Sequence, residues 1–377
     1  MKKTVSFILI ILLLIIYPYN VYADSGNDDF SKIVGEINDT LKQSTDEDVN
    51  EILEKENISV EEPQSISDIK AENIFERIIS YFTDGLKKPL VMLGRILAVS
   101  LICVVVKSMA PDKNSSAKVF ELICTLSVIM IITDTISSNF ETLKNSVERI
   151  NTFMVSYIPI YVSVVSAGGN TISSSSYSAI MLLICEVMAF ISSKILIPFL
   201  SVVLAVTLVS AINPHLQFSG IADSVKKCTI WILGTIMTVF VGLMTIQGLT
   251  GSAADNLAVK SLKFAASSFI PVIGSSISEA YSAVRGSMNV IKTSVGSIGI
   301  IIVFIVVLKP IITILAVKFI LWLGRITNEI FGQREVSEIL KSTNSVLSIG
   351  LSIIIAYAVV FIIATSVLMI TAANVGG

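Results

Sequence analysis

The chain has 377 residues, of which 53% are hydrophobic and only 15% are charged, and its mean hydropathy is +0.81. This composition excludes an ordinary water-soluble domain, which would expose far too much apolar surface, and it predicts a membrane protein. The net charge of −2 hides an asymmetry, because residues 24–88 carry 17 acidic and seven basic side chains, whereas the residues after 88 carry 12 acidic and 18 basic ones. Neither part has the basic, aromatic-rich stripe that binds nucleic acid.

Residues 1–23 have the organisation of a secretory signal peptide. Lys2 and Lys3 precede the apolar run 7–16, and Val21-Tyr22-Ala23 supplies small residues where a signal peptidase cleaves. An uncleaved membrane anchor is the alternative. Both interpretations predict that the acidic segment after residue 23 is exported.

Residues 24–88 form this acidic segment, and its last part has the pattern of an amphipathic helix. The first part is rich in Asp, Glu, Asn and Ser and is too polar to bury a core, so we expect only short helices there. The last part places apolar side chains at helical spacing: Ile74, Phe75, Ile78, Ile79 and Phe82. This helix is predicted to pack on the membrane surface or on the body of the chain, or else to bind a partner protein.

The body of the chain contains apolar runs that enter or cross the lipid bilayer, and residues 89–150 hold the first two of them. The runs are 90–109, 119–137, 153–168, 178–192, 195–212, 229–250, 264–280, 294–308, 311–324 and 346–371. The runs on either side of Pro198 and Pro310 form either tight helical hairpins or single kinked helices. Lys226 and Lys227 fall on the cytoplasmic side only with hairpins, so the distribution of basic residues favours hairpins and ten crossings.

A short sequence motif occurs twice in the body of the chain. Ser156-Tyr157-Ile158-Pro159-Ile160 and Ser268-Phe269-Ile270-Pro271-Val272 lie 112 residues apart, and so do Pro198 and Pro310. This common offset predicts two copies of one membrane unit, residues 151–260 and 261–377. The copies would be related in parallel if each holds an even number of crossings, and would be inverted if the number is odd.

Few polar residues lie inside the predicted spans, and they are candidate sites. Glu186 is the acid nearest the middle of a span, and Lys318 is the corresponding base. A carboxyl group in hydrocarbon needs a partner, a proton or water, so Glu186 is either a functional group in a water-lined path or a structural partner of a neighbouring helix. The uncharged stretch 168–176 is either a flexible turn or a segment that re-enters the membrane. The four cysteines lie in or beside apolar runs and are expected to be ordinary buried thiols.

The sequence contains none of the motifs that an enzyme of a familiar class would carry. It lacks a nucleophile elbow, an HExxH motif and a Walker loop, and its single histidine, His215, follows Pro214 in a predicted turn. We therefore expect neither catalysis nor a cofactor or metal.

The order of segments resembles that of the stage III sporulation protein AE family of endospore-forming bacteria. The residues that carry the resemblance are the amphipathic stretch 74–82 leading through Lys87-Lys88-Pro89, then Tyr157-Ile158-Pro159 with the following Gly168-Gly169 and serines, and Phe269-Ile270-Pro271. The resemblance implies a multi-pass protein of the mother-cell membrane that faces the forespore. It also implies as partners the other proteins of the stage III complex, including a cytoplasmic secretion-type ATPase, and stage II sporulation protein Q.

Two functional hypotheses follow. The first is a multi-pass core component of a trans-envelope channel, or secretion-like complex, between mother cell and forespore. The alternative is a self-contained secondary transporter of a small solute, which the duplication and Glu186 suggest. The exported acidic segment and the amphipathic helix favour the first hypothesis, because a simple transporter has little need of either.

Overall fold

The chain folds into a bundle of long helices in the computed structural model, which describes residues 28–43, 45–60, 71–109, 115–212, 220–269 and 274–373. Within these ranges it has no strand, as the sequence predicts for an all-α membrane bundle. The helices are α1 (Asp28–Gln43), α2 (Glu47–Lys55), α3 (Ala71–Met109), α4 (Ser115–Ala167), α5 (Thr171–Phe190), α6 (Ile197–Ile212), α7 (Ile221–Phe269), α8 (Gly274–Ile330) and α9 (Arg334–Ala373). The predicted signal peptide lies outside the described residues.

Six helical stretches in the described part of the chain are long and apolar enough to cross a membrane: α3, α4, α5 with α6, α7, α8 and α9. The two last helices form the centre of the bundle. Of the most apolar window of each, 56% is buried in α8 and 61% in α9, against 22% in α7. The α8–α9 pair is therefore covered mainly by protein, whereas α7 turns most of its apolar surface outward.

The hairpins predicted at Pro198 and Pro310 do not form, and each pair of apolar runs is one continuous helical stretch. A proline inside a helix removes a hydrogen bond, and its ring clashes with the carbonyl group four residues earlier. At Pro198 a π-helical segment, Ile191–Leu196, joins α5 to α6 and widens the helix at the point of this clash. Pro310 lies inside α8, which continues without a break.

Helix α4 is also continuous where the sequence shows two separate apolar runs. Between them, residues 138–152 are polar on one side but bury Phe140, Leu143, Val147 and Ile150 on the other. This spacing is that of one helical face. Tertiary packing against α9 therefore completes a helix of 53 residues, roughly 80 Å long at 1.5 Å per residue.

The helices come close together at glycines. A Cβ atom at Gly350 of α9 would lie 2.4 Å from Leu143 of α4, and one at Gly85 of α3 would lie 3.3 Å from Ala316 of α8. Small residues at such points let two membrane helices approach closely. They fix the register of α3 and α4 against the central pair.

The acidic segment is more ordered than its composition predicts. Helices α1 and α2 bury Leu41, Val49 and Leu53 in the same hydrophobic core as the membrane helices. Two polar contacts complete the attachment, since Arg149 of α4 pairs with Asp46 and Glu56 accepts a 3.0 Å hydrogen bond from Asn73 of α3. The segment buries its few apolar side chains against the bundle, which sequence composition does not reveal.

Candidate functional site

A column of aromatic side chains on α4 fits against two glycines of α8. The rings of Phe153, Tyr157 and Tyr161 stack with centroid distances of 5.4 and 5.5 Å. A Cβ atom at Gly299 would lie 2.4 Å from the Tyr157 ring, and one at Gly296 would lie 2.9 Å from the Tyr161 hydroxyl. The Tyr157 hydroxyl donates a 3.1 Å hydrogen bond to the Val295 carbonyl. The Tyr157-Ile158-Pro159 motif therefore lies where α4 and α8 pack closely together.

Tyr357 joins three helices at the middle of the α9 apolar run. Its hydroxyl lies 2.7 Å from the Asn151 Oδ1 of α4 and 3.0 Å from the Cys185 carbonyl oxygen of α5. The Asn151 and Cys185 oxygens therefore share the single hydroxyl proton of Tyr357. Nearby, the Tyr177 hydroxyl of α5 lies 3.4 Å from the Thr365 Oγ1 of α9. These contacts hold α4, α5 and α9 in register at one depth.

Asp255 of α7 caps the first turn of α5. The backbone N–H groups of Ile172 and Ser173 each donate a 3.0 Å hydrogen bond to one oxygen of its carboxylate. A carboxylate suits this position, because the first N–H groups of a helix have no partner inside it and carry partial positive charge. The side chain is 1% exposed, and Gly251, one turn earlier, lets α7 approach Ser173 closely.

Stretch 168–176 is a turn followed by the start of a helix. Gly169 has a positive φ of 83°, which glycine adopts without strain, and α5 begins at Thr171. Sequence reasoning missed Asp255, because residues 251–263 read as a loop between apolar runs. The small residues Gly251-Ser252-Ala253-Ala254 just before it are a signal for the close approach of another helix.

The structure does not bring Glu186 and Lys318 together. Glu186 lies on the outer surface of α5 and is exposed, without a hydrogen-bond or ion-pair partner among the described residues. Lys318 is half-buried between α8 and α9, where its Nζ donates to the Asn344 carbonyl at 3.2 Å and to the Ser348 Oγ. Sequence reasoning missed a deeper base, Lys292, which is 1% exposed and donates a 2.9 Å hydrogen bond to Asn289 Oδ1.

The amphipathic stretch is the first part of α3, and its apolar side chains point in two directions. Ile74, Ile78 and Phe82 are half-buried, and the Phe82 ring packs against Phe319 of α8 at 6.3 Å. Phe75 and Ile79 remain exposed. One face thus packs on the body of the chain and the other is open.

Three of the four repeat-defining prolines are described, and Pro271 lies outside the described residues. Pro159 and Pro310 are inside α4 and α8, whereas Pro198 is the second residue of α6. The offset of 112 residues relates Ile221, where α7 begins, to Gln333, one residue before α9. The duplication and the two predicted units remain predictions.

The described residues contain no group of three His, Cys, Asp or Glu side chains arranged to hold a metal ion. The cysteines are free thiols; Cys103, Cys124 and Cys185 are buried as expected, but Cys228 is exposed. A small cavity of about 330 Å³ lies between Asp46 and the middle of α4, and it is lined by Arg149, Phe153 and Val306 among others.

Comparison with known proteins identifies the family. A family model described as stage III sporulation protein AE matches residues 57–372, most of the chain. The chain is also similar to the stage III sporulation protein AE of Bacillus subtilis (strain 168), with 21% identity over 231 residues, which are 61% of this chain and 58% of that relative. The match thus spans less than two thirds of the relative's length. No solved structure matches the chain. The chain belongs to the stage III sporulation protein AE family.

Proposed function

We propose that the protein is a multi-pass core component of a sporulation-specific channel, or secretion-like complex, between mother cell and forespore. The observation that carries the proposal is membership of the stage III sporulation protein AE family along residues 57–372. The protein would act by assembly rather than by catalysis, in the mother-cell membrane that surrounds the forespore. Its partners would be the other stage III proteins, with their cytoplasmic ATPase, and stage II sporulation protein Q.

The architecture supports a role in assembly. Helices α1 and α2 are bound to the body through Asp46–Arg149 and through Glu56, which contacts Asn73. Next to them, Phe75 and Ile79 at the start of α3 are exposed apolar side chains. The folded acidic segment beside this open apolar face offers a surface for other proteins, because contiguous exposed apolar patches mark interaction sites.

Affinity purification of the tagged full-length chain from sporulating cells tests the proposal. We expect the other stage III proteins and stage II sporulation protein Q to be recovered in amounts comparable to the chain. Recovery of intact chain without any of them, under mild detergent and after chemical crosslinking, would contradict it. A tagged, unrelated multi-pass protein from the same membrane serves as the control for co-solubilised lipid patches.

The orientation has its own test. We propose that the acidic segment is exported and that the mature chain begins near Asp24, because of the signal-peptide pattern before it. N-terminal sequencing of membrane-purified protein is expected to start near this residue, and an intact Met1 would refute cleavage. A reporter fused near residue 60 that is active only in the cytoplasm would refute the orientation.

The transporter alternative gains no support from the positions of its candidate residues. A coupled transporter would use Glu186 with a base or with water inside the bundle. Glu186 is instead on the outer surface, and Lys318 is held by Asn344 and Ser348.

A further inference from the structure

Three helices meet at a polar junction near the starts of α7 and α9. Lys318 of α8 is half-buried there. Its ammonium group donates to the Asn344 carbonyl of α9 at 3.2 Å and to the Ser348 Oγ. Ser345, next to Asn344, donates a 3.0 Å hydrogen bond to the Asp223 carboxylate of α7. The junction therefore holds the first turn of α7 against the part of α9 that binds Lys318.

A second lysine, Lys226, lies at the same junction. It follows Asp223 by three residues on α7, about one helical turn, and it is half-buried. Thr229 and Leu233, which lie on the same side of α7, are buried, so this side faces the bundle. Lys226 is near enough to Lys318 for the two positive charges to repel each other.

The two ammonium groups have no counter-ion in the described part of the chain. Lys226 has no hydrogen-bond or ion-pair partner there, and both contacts of Lys318 are with neutral oxygen atoms. Asp223 is exposed, and its carboxylate is engaged by Ser345. Like charges that are partly withdrawn from water destabilise the folded state unless an opposite charge compensates them. The junction therefore favours a bound anion.

The side chains beside the two lysines are apolar and open. Ile230 follows Lys226 by four residues and Trp322 follows Lys318 by four, which places each on the same helix face as its lysine. They are 46% and 48% exposed. Lysine binds phosphate as a point charge, and basic pockets between membrane helices bind phospholipid head groups. A phosphate group, with or without acyl chains attached, fits these surroundings.

We propose that Lys226 and Lys318 bind a phosphate group between α7, α8 and α9. Its source is the headgroup of an anionic phospholipid or a soluble phosphate compound, and in both cases its oxygens accept hydrogen bonds from the two ammonium groups. Lys318 keeps its contacts with α9, because an ammonium group has a further N–H to donate. The site is independent of the proposed function, since it requires no other protein.

Thermal unfolding of the full-length chain tests the site. The chain is purified in dodecyl maltoside and stripped of lipid, and either phosphatidylglycerol or inorganic phosphate is added. Diacylglycerol with the same acyl chains is the control for the lipid, and sodium chloride of equal ionic strength is the control for inorganic phosphate. We expect at least one phosphate compound to raise the unfolding midpoint by about 2 °C or more over its control, because a ligand of the folded state stabilises it.

The pattern of the shifts identifies the source of the phosphate. A rise with phosphatidylglycerol alone assigns the site to a lipid headgroup, and a rise with inorganic phosphate shows that a soluble compound is sufficient. No rise over the controls with either compound would overturn the proposal.

Lys226→Gln is the decisive variant, because Lys226 has no described partner to lose. Without phosphate it should unfold at the wild-type midpoint or above it, since its repulsion of Lys318 is removed. It should bind the active phosphate compound at least about tenfold more weakly, the effect of losing one hydrogen bond to a charged group. Lys227→Gln, at the exposed neighbouring position, removes the same charge and should respond like wild type. Equal responses of the two variants would overturn the proposal.

Substitutions of Lys318 test the second half of the site. Lys318→Arg keeps the positive charge and should keep most of the response to phosphate, whereas Lys318→Gln should lose it. An unchanged response in a folded Lys318→Gln protein would refute the part played by Lys318. If that variant does not fold, the comparison of Lys226→Gln with Lys227→Gln decides the question.

Discussion

The Tyr157 ring of α4 rests on Gly299 of α8, so closely that a single methyl group at the glycine would overlap the ring. The distance from the position of that methyl group to the nearest ring atom is 2.4 Å. Tyr157 also donates its hydroxyl proton to the Val295 carbonyl, one turn before the glycine. The contact joins the longest helices of the described chain at the core of the bundle.

This contact predicts that Gly299→Ala lowers the free energy of unfolding by about 1–3 kcal/mol, the usual cost of overpacking a core. The thermal unfolding midpoint in detergent measures it. Gly242→Ala is the matched control, since no heavy atom lies within 4 Å of its Cβ position, and alanine favours a helix over glycine by up to about 1 kcal/mol. An unfolding midpoint of Gly299→Ala equal to that of wild type would disprove the close contact between Tyr157 and Gly299.

Removal of the Asp255 carboxylate is expected to loosen the start of α5. Asp255→Ala leaves the buried N–H group of Ser173 and the partly buried N–H group of Ile172 without an acceptor, at a cost of about 1–3 kcal/mol. Asp255→Asn keeps one acceptor and should lose less. Lys260→Ala, at an exposed position of the same helix, should leave the melting temperature and hydrogen exchange of residues 171–175 unchanged. Equal effects of the Ala and Asn variants would argue against capping by the carboxylate.

Tyr357→Phe removes the hydroxyl that joins α9 to α4 and α5. We expect a loss of about 0.5–1.5 kcal/mol, typical for one hydrogen bond in a protein. Tyr177→Phe is the comparison, because its 3.4 Å contact with Thr365 is long and should contribute less. A double-mutant cycle with Asn151→Ala separates the hydroxyl contact from ring packing. A coupling energy near zero would refute the hydrogen bond between Tyr357 and Asn151.

Substitutions on the two faces at the start of α3 are expected to have different effects on stability and on partner binding. Phe82→Ala loses the contact with Phe319 and should lower thermal stability by at least about 1 kcal/mol, since aromatic pairs and buried ring area both contribute. Phe75→Ala should leave stability unchanged but reduce recovery of stage III partners, because Phe75 is 62% exposed. Loss of stability in Phe75→Ala, or full partner recovery with it, would contradict this division of the helix.

Glu186→Gln is expected to be tolerated. The carboxylate lies on the outer surface without a described partner, and glutamine keeps most of its hydrogen-bonding capacity. Variant cells should sporulate at near-normal levels with normal protein abundance. A sporulation defect with unchanged abundance and partner recovery would favour the transporter hypothesis, in which a midspan carboxyl group carries a proton or cation.

Composition and local spacing were sufficient to predict the class of the protein and one helix face. The high apolar content predicts membrane helices, and the spacing of Ile74, Ile78 and Phe82 predicts an amphipathic helix, whose Phe82 packs on Phe319 of α8. Both depend on residues close in sequence, because helix periodicity is a local property. The family resemblance likewise depends on the order of segments along the chain.

The tertiary structure decided which segments are continuous and which side chains meet. The sequence around Pro198 favours a hairpin. In the structure, the π-helical turn before the proline accommodates its ring, and the helix continues without a break. Asp255 caps a helix 83 residues away along the chain, and Tyr157 meets Gly299 on another helix. The outward position of Glu186 also depends on how helices pack side by side, which no local pattern encodes.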